Sequence, residues 1–263
     1  MKANYKNWVP KGMTVGFGVA SALLAATAVG VGILGTTEKS VIKTTATAVL
    51  GIGAVGCGAF SAWCAYAGNK FSYDGKRKLS KQIVEGTAEY VSIPDGGIGL
   101  DVGCGSGALT IACAKRNPKA TMIGIDRWGK EYASFSKKLC EENAISEKVT
   151  NTRFQNGNAI QLDFPDETFD VVTSNYVYHN IIGKNKQELL RETLRVLKKG
   201  GTFAIHDIMS KSRYGDMQKF VSELKAEGYE EVKLIDTTNG KFMSRKEAKT
   251  MFLDGSALLV GRK

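Results

Sequence analysis

Between Lys11 and Glu38 no residue carries a charge, and the same holds between Lys43 and Lys70. Each gap is 26 residues long and rich in Ala, Gly, Val and Leu. A helix needs about 20 mostly apolar residues to cross a bilayer core, so both stretches are long enough to span it. Glycine at this density weakens a helix in water, whereas in a membrane small residues let two backbones approach closely. Gly12/Gly16/Ala20 and Ala54/Gly58/Ala62 carry the four-residue spacing of such contacts, which also permits self-association through the pair. The short link Glu38–Lys43 favours an antiparallel hairpin, with spans expected at about 13–35 and 46–67. The competing readings are a cleaved signal peptide, for which the first stretch is too long, and two buried helices of a soluble protein.

The 263 residues include 36 Lys+Arg and 26 Asp+Glu, a net charge of +10. A basic chain invites a nucleic-acid reading. Residues 1–81, however, hold ten basic and two acidic residues, while residues 82–263 hold 26 and 24. Lys2, Lys6 and Lys11 precede the first span, and Lys70, Lys76, Arg77, Lys78 and Lys81 follow the second. Only Lys39 and Lys43 lie between them. The excess charge is therefore a topology signal, and the positive-inside rule puts both ends of the hairpin and everything after it in the cytoplasm. Five irregularly spaced cysteines suit that reducing compartment. With no CxxC pair and two histidines, no metal site is expected.

Residues 1–70 are thus read as a membrane hairpin, 71–97 as a linker with a helix, and 98–263 as a soluble domain. In that domain short apolar runs at Ile98–Val102, Thr121–Ile125, Val149–Phe154, Phe169–Asn175, Thr202–Ile208, Glu231–Ile235 and Ser256–Val260 predict seven strands. Helical spacing is predicted over Lys76–Val91, Ala108–Arg116, Lys130–Asn143, Lys186–Leu197 and Asp216–Glu227. Alternation of this kind gives an α/β fold, a mostly parallel sheet covered on both faces. Nothing of matching helical strength separates the last two strands, so an antiparallel closing strand is expected.

The first strand runs into Leu100-Asp101-Val102-Gly103-Cys104-Gly105-Ser106-Gly107, and a helix follows. Glycines there allow tight torsions and close ligand approach. Asp126, at the end of the second strand, can accept hydrogen bonds from both hydroxyls of a ribose. The same residues satisfy the G-x-G-x-x-G/A dinucleotide fingerprint with an acid at the expected distance, so a nicotinamide-dependent oxidoreductase remains a rival.

Further along stand Gly157-Asn158-Ala159, Leu162-Asp163-Phe164-Pro165-Asp166, Phe169-Asp170-Val171-Val172 and Leu194-Arg195-Val196-Leu197-Lys198-Lys199-Gly200-Gly201. In this order, after D-V-G-C-G-S-G, the set resembles the class I S-adenosylmethionine (SAM) dependent methyltransferases. The small-molecule branch that includes quinone-biosynthesis enzymes is the nearest in pattern, and the likeness covers roughly residues 72–263. The resemblance implies a seven-stranded Rossmann-like sheet and SAM as cofactor. The turn Gly103, Cys104, Gly105 and Gly107 would pass under its methionine part, with Asp101 fixing the backbone or the amino group. Asp126 would take the ribose, Arg127 and Trp128 would lie beside the adenine, and Asn175 would face the carboxylate or the reacting methyl. Asn158, followed by Ala159, stands where the family usually has Asp and can still accept from the adenine amine. Cys104 is read as small filler.

Methyl transfer from a sulfonium is an in-line displacement in which positioning alone is worth roughly 7–11 kcal/mol. A base is needed only where the nucleophile arrives protonated. Candidates stand at the ends of the fourth and fifth strands, namely His179 within Ser174–Asn180, and His206-Asp207. Tyr176, Tyr178 and Tyr214 are candidate pocket walls. The family's base-modifying members carry Asn/Asp-Pro-Pro-aromatic after the fourth strand, where this chain has Ser174-Asn175-Tyr176-Val177, so nucleic acid is not expected as substrate. Membrane tethering points to a small lipophilic acceptor, and a non-catalytic tethered SAM-binding protein is the second rival.

Overall fold

A computed structural model describes residues 2–34, 41–129 and 134–263. Contacts divide the chain into two compact units: Asn7–Lys78, and Leu79–Lys263 together with the residues up to Lys6.

The first unit is two antiparallel-packed helices, α1 (Lys11–Leu34) and α2 (Val41–Phe71). Both are long and apolar enough to cross a membrane. Of the expected link at 38–43, residues 38–40 lie outside the described residues and 41–43 open α2. Small residues make the seam between the helices. Ser21 Oγ donates to the Ala54 carbonyl at 2.7 Å, and Ser61 Oγ donates to that of Thr14 at 2.7 Å. A Cβ on Gly58 would stand 3.0 Å from Ser21 Oγ, and one on Gly18 would stand 3.3 Å from Ser61 Oγ. Of the two expected small-residue rows, Ala54/Gly58 lies in this seam. Gly12 and Gly16 have nothing within 4 Å of an added Cβ, and α1 packs through Thr14, Gly18 and Ser21 instead. Cys64 is buried with Val9 and Ala67, as filler. Val15, Val19, Leu23, Ile42, Val49, Ile52 and Val55 point outward, exposed. Where the two ends of the unit meet, Trp8, Trp63, Phe60, Phe17 and Phe71 form an aromatic cluster, with ring centroids 4.6–6.2 Å apart between neighbours.

The second unit opens with α3 (Leu79–Ala88) and continues as β1 (Ile98–Val102), α4 (Ala108–Arg116), β2 (Thr121–Asp126), α5 (Lys137–Ser146) and β3 (Thr152–Asn156). Its second half is β4 (Phe169–Asn175), α6 (Lys186–Arg195), β5 (Leu197–Ile208), α7 (Lys211–Tyr214), α8 (Met217–Ala226), β6 (Glu230–Asp236), α9 (Arg245–Thr250) and β7 (Ser256–Arg262). The sheet order is β3-β2-β1-β4-β5-β7-β6. All pairings are parallel except those of β7, which is antiparallel to both β5 and β6. The seven-stranded, mostly parallel sheet with its antiparallel closing strand is the fold that the residue pattern implies. The strands are near-continuous apolar runs because helices cover both faces. Val102 pairs with Ser174 and Ile125, and Asn175 pairs with His206, so the carboxyl ends of β2, β1, β4 and β5 lie side by side.

Three boundaries differ from the sequence reading. The segment before the hairpin does not belong to it: Asn4 N donates to Asn143 Oδ1 at 2.7 Å, and Ser106 Oγ donates to the Tyr5 carbonyl at 2.9 Å. The helix expected from Lys130 begins at Lys137, where Ser136 caps it by accepting from Leu139 N; residues 130–133 lie outside those described. β5 starts before Gly200-Gly201, because Phe169 pairs with Leu197 and Val171 with Thr202, leaving a bulge between them.

The seam predicts an asymmetry among the glycines of α2. Gly58→Leu drives a side chain into Ser21 and should destabilise the hairpin by about 1–3 kcal/mol. Gly56→Leu, at a position with nothing within 4 Å, should leave it unchanged. Thermal melting of the two variants in detergent checks the contrast.

Candidate active site

The glycine turn is fixed from below by β2. Gly103 N and Cys104 N both donate to the Ile125 carbonyl, at 2.8 and 2.9 Å. Gly103, Gly105 and Gly107 have φ of +73°, +56° and +82°, the left-handed region that other residues avoid. At Gly103 a Cβ would also stand 2.3 Å from Val177, so the loop after β4 packs directly on the turn. At Gly105 the nearest atom to an added Cβ is 3.8 Å away, on Phe135. Cys104 is buried, with its thiol pushed well up by burial, as a filler is.

Two carboxylates brace this turn differently. Asp126 accepts from Gly105 N (2.9 Å) with Oδ2 and from Trp128 N (2.8 Å) with Oδ1, while the Trp128 indole donates to the Gly105 carbonyl at 2.9 Å. A carboxylate has about four lone-pair sites, so Asp126, half-buried, keeps capacity for two more donors. Asp101 is fully buried beneath the turn and accepts from Thr110 Oγ1 (2.6 Å) and Thr173 Oγ1 (3.0 Å). Burial raises its pKa to about 7 against the pull of those two hydroxyls. At the end of β3, Asn158 is exposed and its Oδ1 accepts from Ile160 N at 3.0 Å, closing a local turn beside Ala159. Arg127 is exposed.

The second cluster is organised by Asp207, which is fully buried. Its Oδ2 accepts from Tyr178 N (2.8 Å), His179 N (3.2 Å) and Tyr214 Oη (2.8 Å), and its Oδ1 from Ile208 N (2.6 Å). His179 Nδ1 lies 2.5 Å from Oδ1. Burial pushes the Asp207 carboxyl up, but His179, Tyr214 and the backbone outweigh it and hold it below its ordinary range. An ionised carboxylate can only accept, so Nδ1 carries the proton and Nε2 is left as the basic nitrogen. Among the described residues Nε2 has no hydrogen-bond partner, and the ring is 14% exposed.

The structure separates the three residues considered for base work. Asp207 is not a base, since its lone pairs are taken up in supporting the loop and His179. Nor is His206, which is fully buried with Nδ1 2.9 Å from Asn175 Oδ1 and Nε2 2.9 Å from Thr237 Oγ1. Burial lowers its pKa to about 3, and the neutral ring fixes the Asn175 amide. Tyr178 and Tyr214 are buried supports of Asp207 rather than pocket walls. Tyr176 stays half-buried between the rings of His206 and His179, at φ +57°, and Trp128 has φ +43°. Two bulky residues in the left-handed region thus flank the site, as held strain often does at functional positions.

Residues 100–205 match a family model described as a methyltransferase domain. A demethylmenaquinone methyltransferase from Geobacillus sp. (strain WCH70) is 29% identical over 65% of this chain and 74% of its own length. An uncharacterized methyltransferase from Bacillus subtilis (strain 168), YcgJ, is 33% identical over 41% and 39%. Among solved structures the cyclase SpnF has a TM-score of 0.55 at 18% identity, covering 73% of this chain and 85% of its own. Geranyl diphosphate methyltransferase, solved with GPP and sinefungin, has a TM-score of 0.54 at 14%, covering 72% and 80%. At these identities the two structures establish the fold alone.

Residues 100–205 are a methyltransferase domain, and the matches support a SAM-dependent enzyme of class I. Its cofactor is S-adenosylmethionine. The residues present fit that group: a glycine turn whose outer face at Gly105 is open to ordinary contact, with a half-buried carboxylate of spare accepting capacity one strand over.

Asp126→Ala should weaken SAM binding by about 1.5–3 kcal/mol for each ribose hydroxyl deprived of its carboxylate partner, which isothermal titration of the full chain would measure. Asp101 makes a second prediction. Its folded pKa, about 7, is above the ordinary 3.8, so its contribution to stability is complete below pH 3.8 and is lost as pH rises through 7. In denaturant titrations Asp101→Asn should therefore gain stability relative to the wild type between pH 4 and pH 8.

Proposed function

We propose that this enzyme is membrane-anchored and methylates a lipophilic acceptor bearing a weakly acidic hydroxyl, with His179 as the general base. The observation that carries the reading is the Asp207–His179 pair, which presents a basic Nε2 beside the loop that packs on the glycine turn. Bound SAM supplies an electrophilic methyl group on a positively charged sulfur. Nε2 takes the acceptor's hydroxyl proton, and the electron pair so released raises nucleophilicity at the oxygen or at the adjoining ring carbon. That atom would be held in line with the sulfonium methyl, and its bond to the methyl carbon would form as the carbon–sulfur bond breaks. Asp207 stabilises the resulting imidazolium through Nδ1–H, the role a buried carboxylate plays in an acid–histidine pair.

Several observations support a lipophilic acceptor and an anchor. One matched relative is named a demethylmenaquinone methyltransferase. The outward faces of α1 and α2 carry Val, Leu and Ile, suited to acyl chains. Trp8 and Trp63 lie near the lysine-rich ends, as interfacial aromatics do. Residues on both sides of the hairpin belong to one compact unit, which favours two crossings with both ends on one face, the cytoplasmic one by charge.

Membranes containing the protein, given SAM labelled with tritium in the methyl group, should incorporate label into an extractable lipid. Label confined to water-soluble products would overturn the lipophilic acceptor. His179→Gln should lower the turnover by about 10²–10⁴-fold, with SAM affinity unchanged.

A further inference from the structure

The strands β4, β5 and β6 and the start of β7 share one edge of the sheet, the edge at which His179 stands. Three connections make that edge: residues 176–185, 209–216 and 237–255. Together they hold seven Lys/Arg and three Asp/Glu. All seven basic residues, among them Lys184, Lys211, Arg213 and Lys249, are exposed. At the opposite edge of the same strands, residues 163–168, 196–200, 227–231 and 261–263 hold four Lys/Arg and six Asp/Glu. Across β4 to β7 the near-neutral domain is therefore polarised, with the positive side at the edge where His179 stands.

Two large apolar side chains stand out from this basic edge. Ile182 is 95% exposed, in the loop that carries His179, and Phe252 is 69% exposed, between α9 and β7. Gly183, at φ +72°, turns the chain sharply after Ile182, so the side chain sits at a loop tip. Apolar tips set among exposed lysines suit the interface of an anionic bilayer, where acyl chains take the tips and headgroups meet the charges. The sequence adds a restraint. Tyr5 and Asn4 are held at Ser106 and Asn143, beside the glycine turn, and only residues 7–10 separate that segment from α1.

We infer that the active-site edge, through Ile182, Phe252 and its exposed lysines and arginines, docks on the surface of an anionic membrane. A lipophilic acceptor then reaches His179 from the bilayer without crossing water. The inference rests on the reading of α1 and α2 as membrane spans, and its test keeps the two apart.

The full chain is reconstituted into vesicles of phosphatidylcholine and phosphatidylglycerol doped with a lipid spin-labelled just below the headgroup. A solvatochromic fluorescent amino acid replaces Leu23, Ile182 or Ile145, one at a time, and SAM binding verifies folding. Leu23 lies exposed on α1; Ile145, 74% exposed at the end of α5, lies on the opposite edge. Quenching and a blue shift at 182 but not at 145, both diminished in pure phosphatidylcholine vesicles, support the inference. Membrane signal at 23 with 182 behaving like 145 overturns it while leaving the anchor intact. A probe at 23 that reports water overturns the anchor, and the docked edge with it.

Discussion

A fully buried carboxylate must find donors from the protein, and Asp207 finds them on three sides. The backbone of the loop after β4, the hydroxyl of Tyr214 on α7 and the peptide of Ile208 each satisfy part of it. Those bonds fix where the β4 loop can run, and the loop in turn sets Val177 against Gly103 and His179 over Asp207. Leaving one such charge unpaired in a protein interior costs several kcal/mol. The carboxylate is therefore as much a constraint on the backbone as a partner for the imidazole.

The two halves of the site are joined by short-range geometry alone. Glycine at 103 is required twice over, by its left-handed torsion and by the Val177 side chain that fills the space of a Cβ. That packing ties the turn expected to hold the cofactor to the loop that carries His179. His206 extends the arrangement by one step, because it pairs in register with Asn175 and holds its amide while Thr237 holds the other ring nitrogen. Buried polar groups satisfied in this way stiffen the carboxyl ends of the strands, where displacement chemistry needs its reactants held in line.

How much of this the residues disclosed depends on range. Strand and helix order was legible because apolar periodicity is local, and the antiparallel β7 followed from the weak helix before it. The glycine turn was legible because its torsions are written in neighbouring residues. The division of labour among His179, His206 and Asp207 was not. All three are polar residues near strand ends, and only burial separates His206 and Asp207 from the partly exposed His179. Thr110 and Thr173, which hold Asp101, and Tyr214, which holds Asp207, carry no local pattern that marks them. The link from Asn4 to Asn143 spans 139 residues, and no periodicity reports a pairing of that kind.

That same link changes the meaning of the N-terminal charge. Lys2 and Lys6 flank a segment that belongs to the methyltransferase unit, so the hairpin is an insertion within that unit rather than an appendage before it. An appended anchor leaves a domain free to turn about one linker. An inserted one leaves it attached at two points, one of them beside the glycine turn. Two attachments restrict rotation, and for an acceptor dissolved in the bilayer restricted rotation matters more than proximity. A site that faces away gains nothing from being near. Under the proposed anchoring and docking, the basic, apolar-tipped edge of the sheet and the double attachment would answer the same physical requirement, that of presenting one edge of a Rossmann-like sheet to the surface from which a lipophilic acceptor comes.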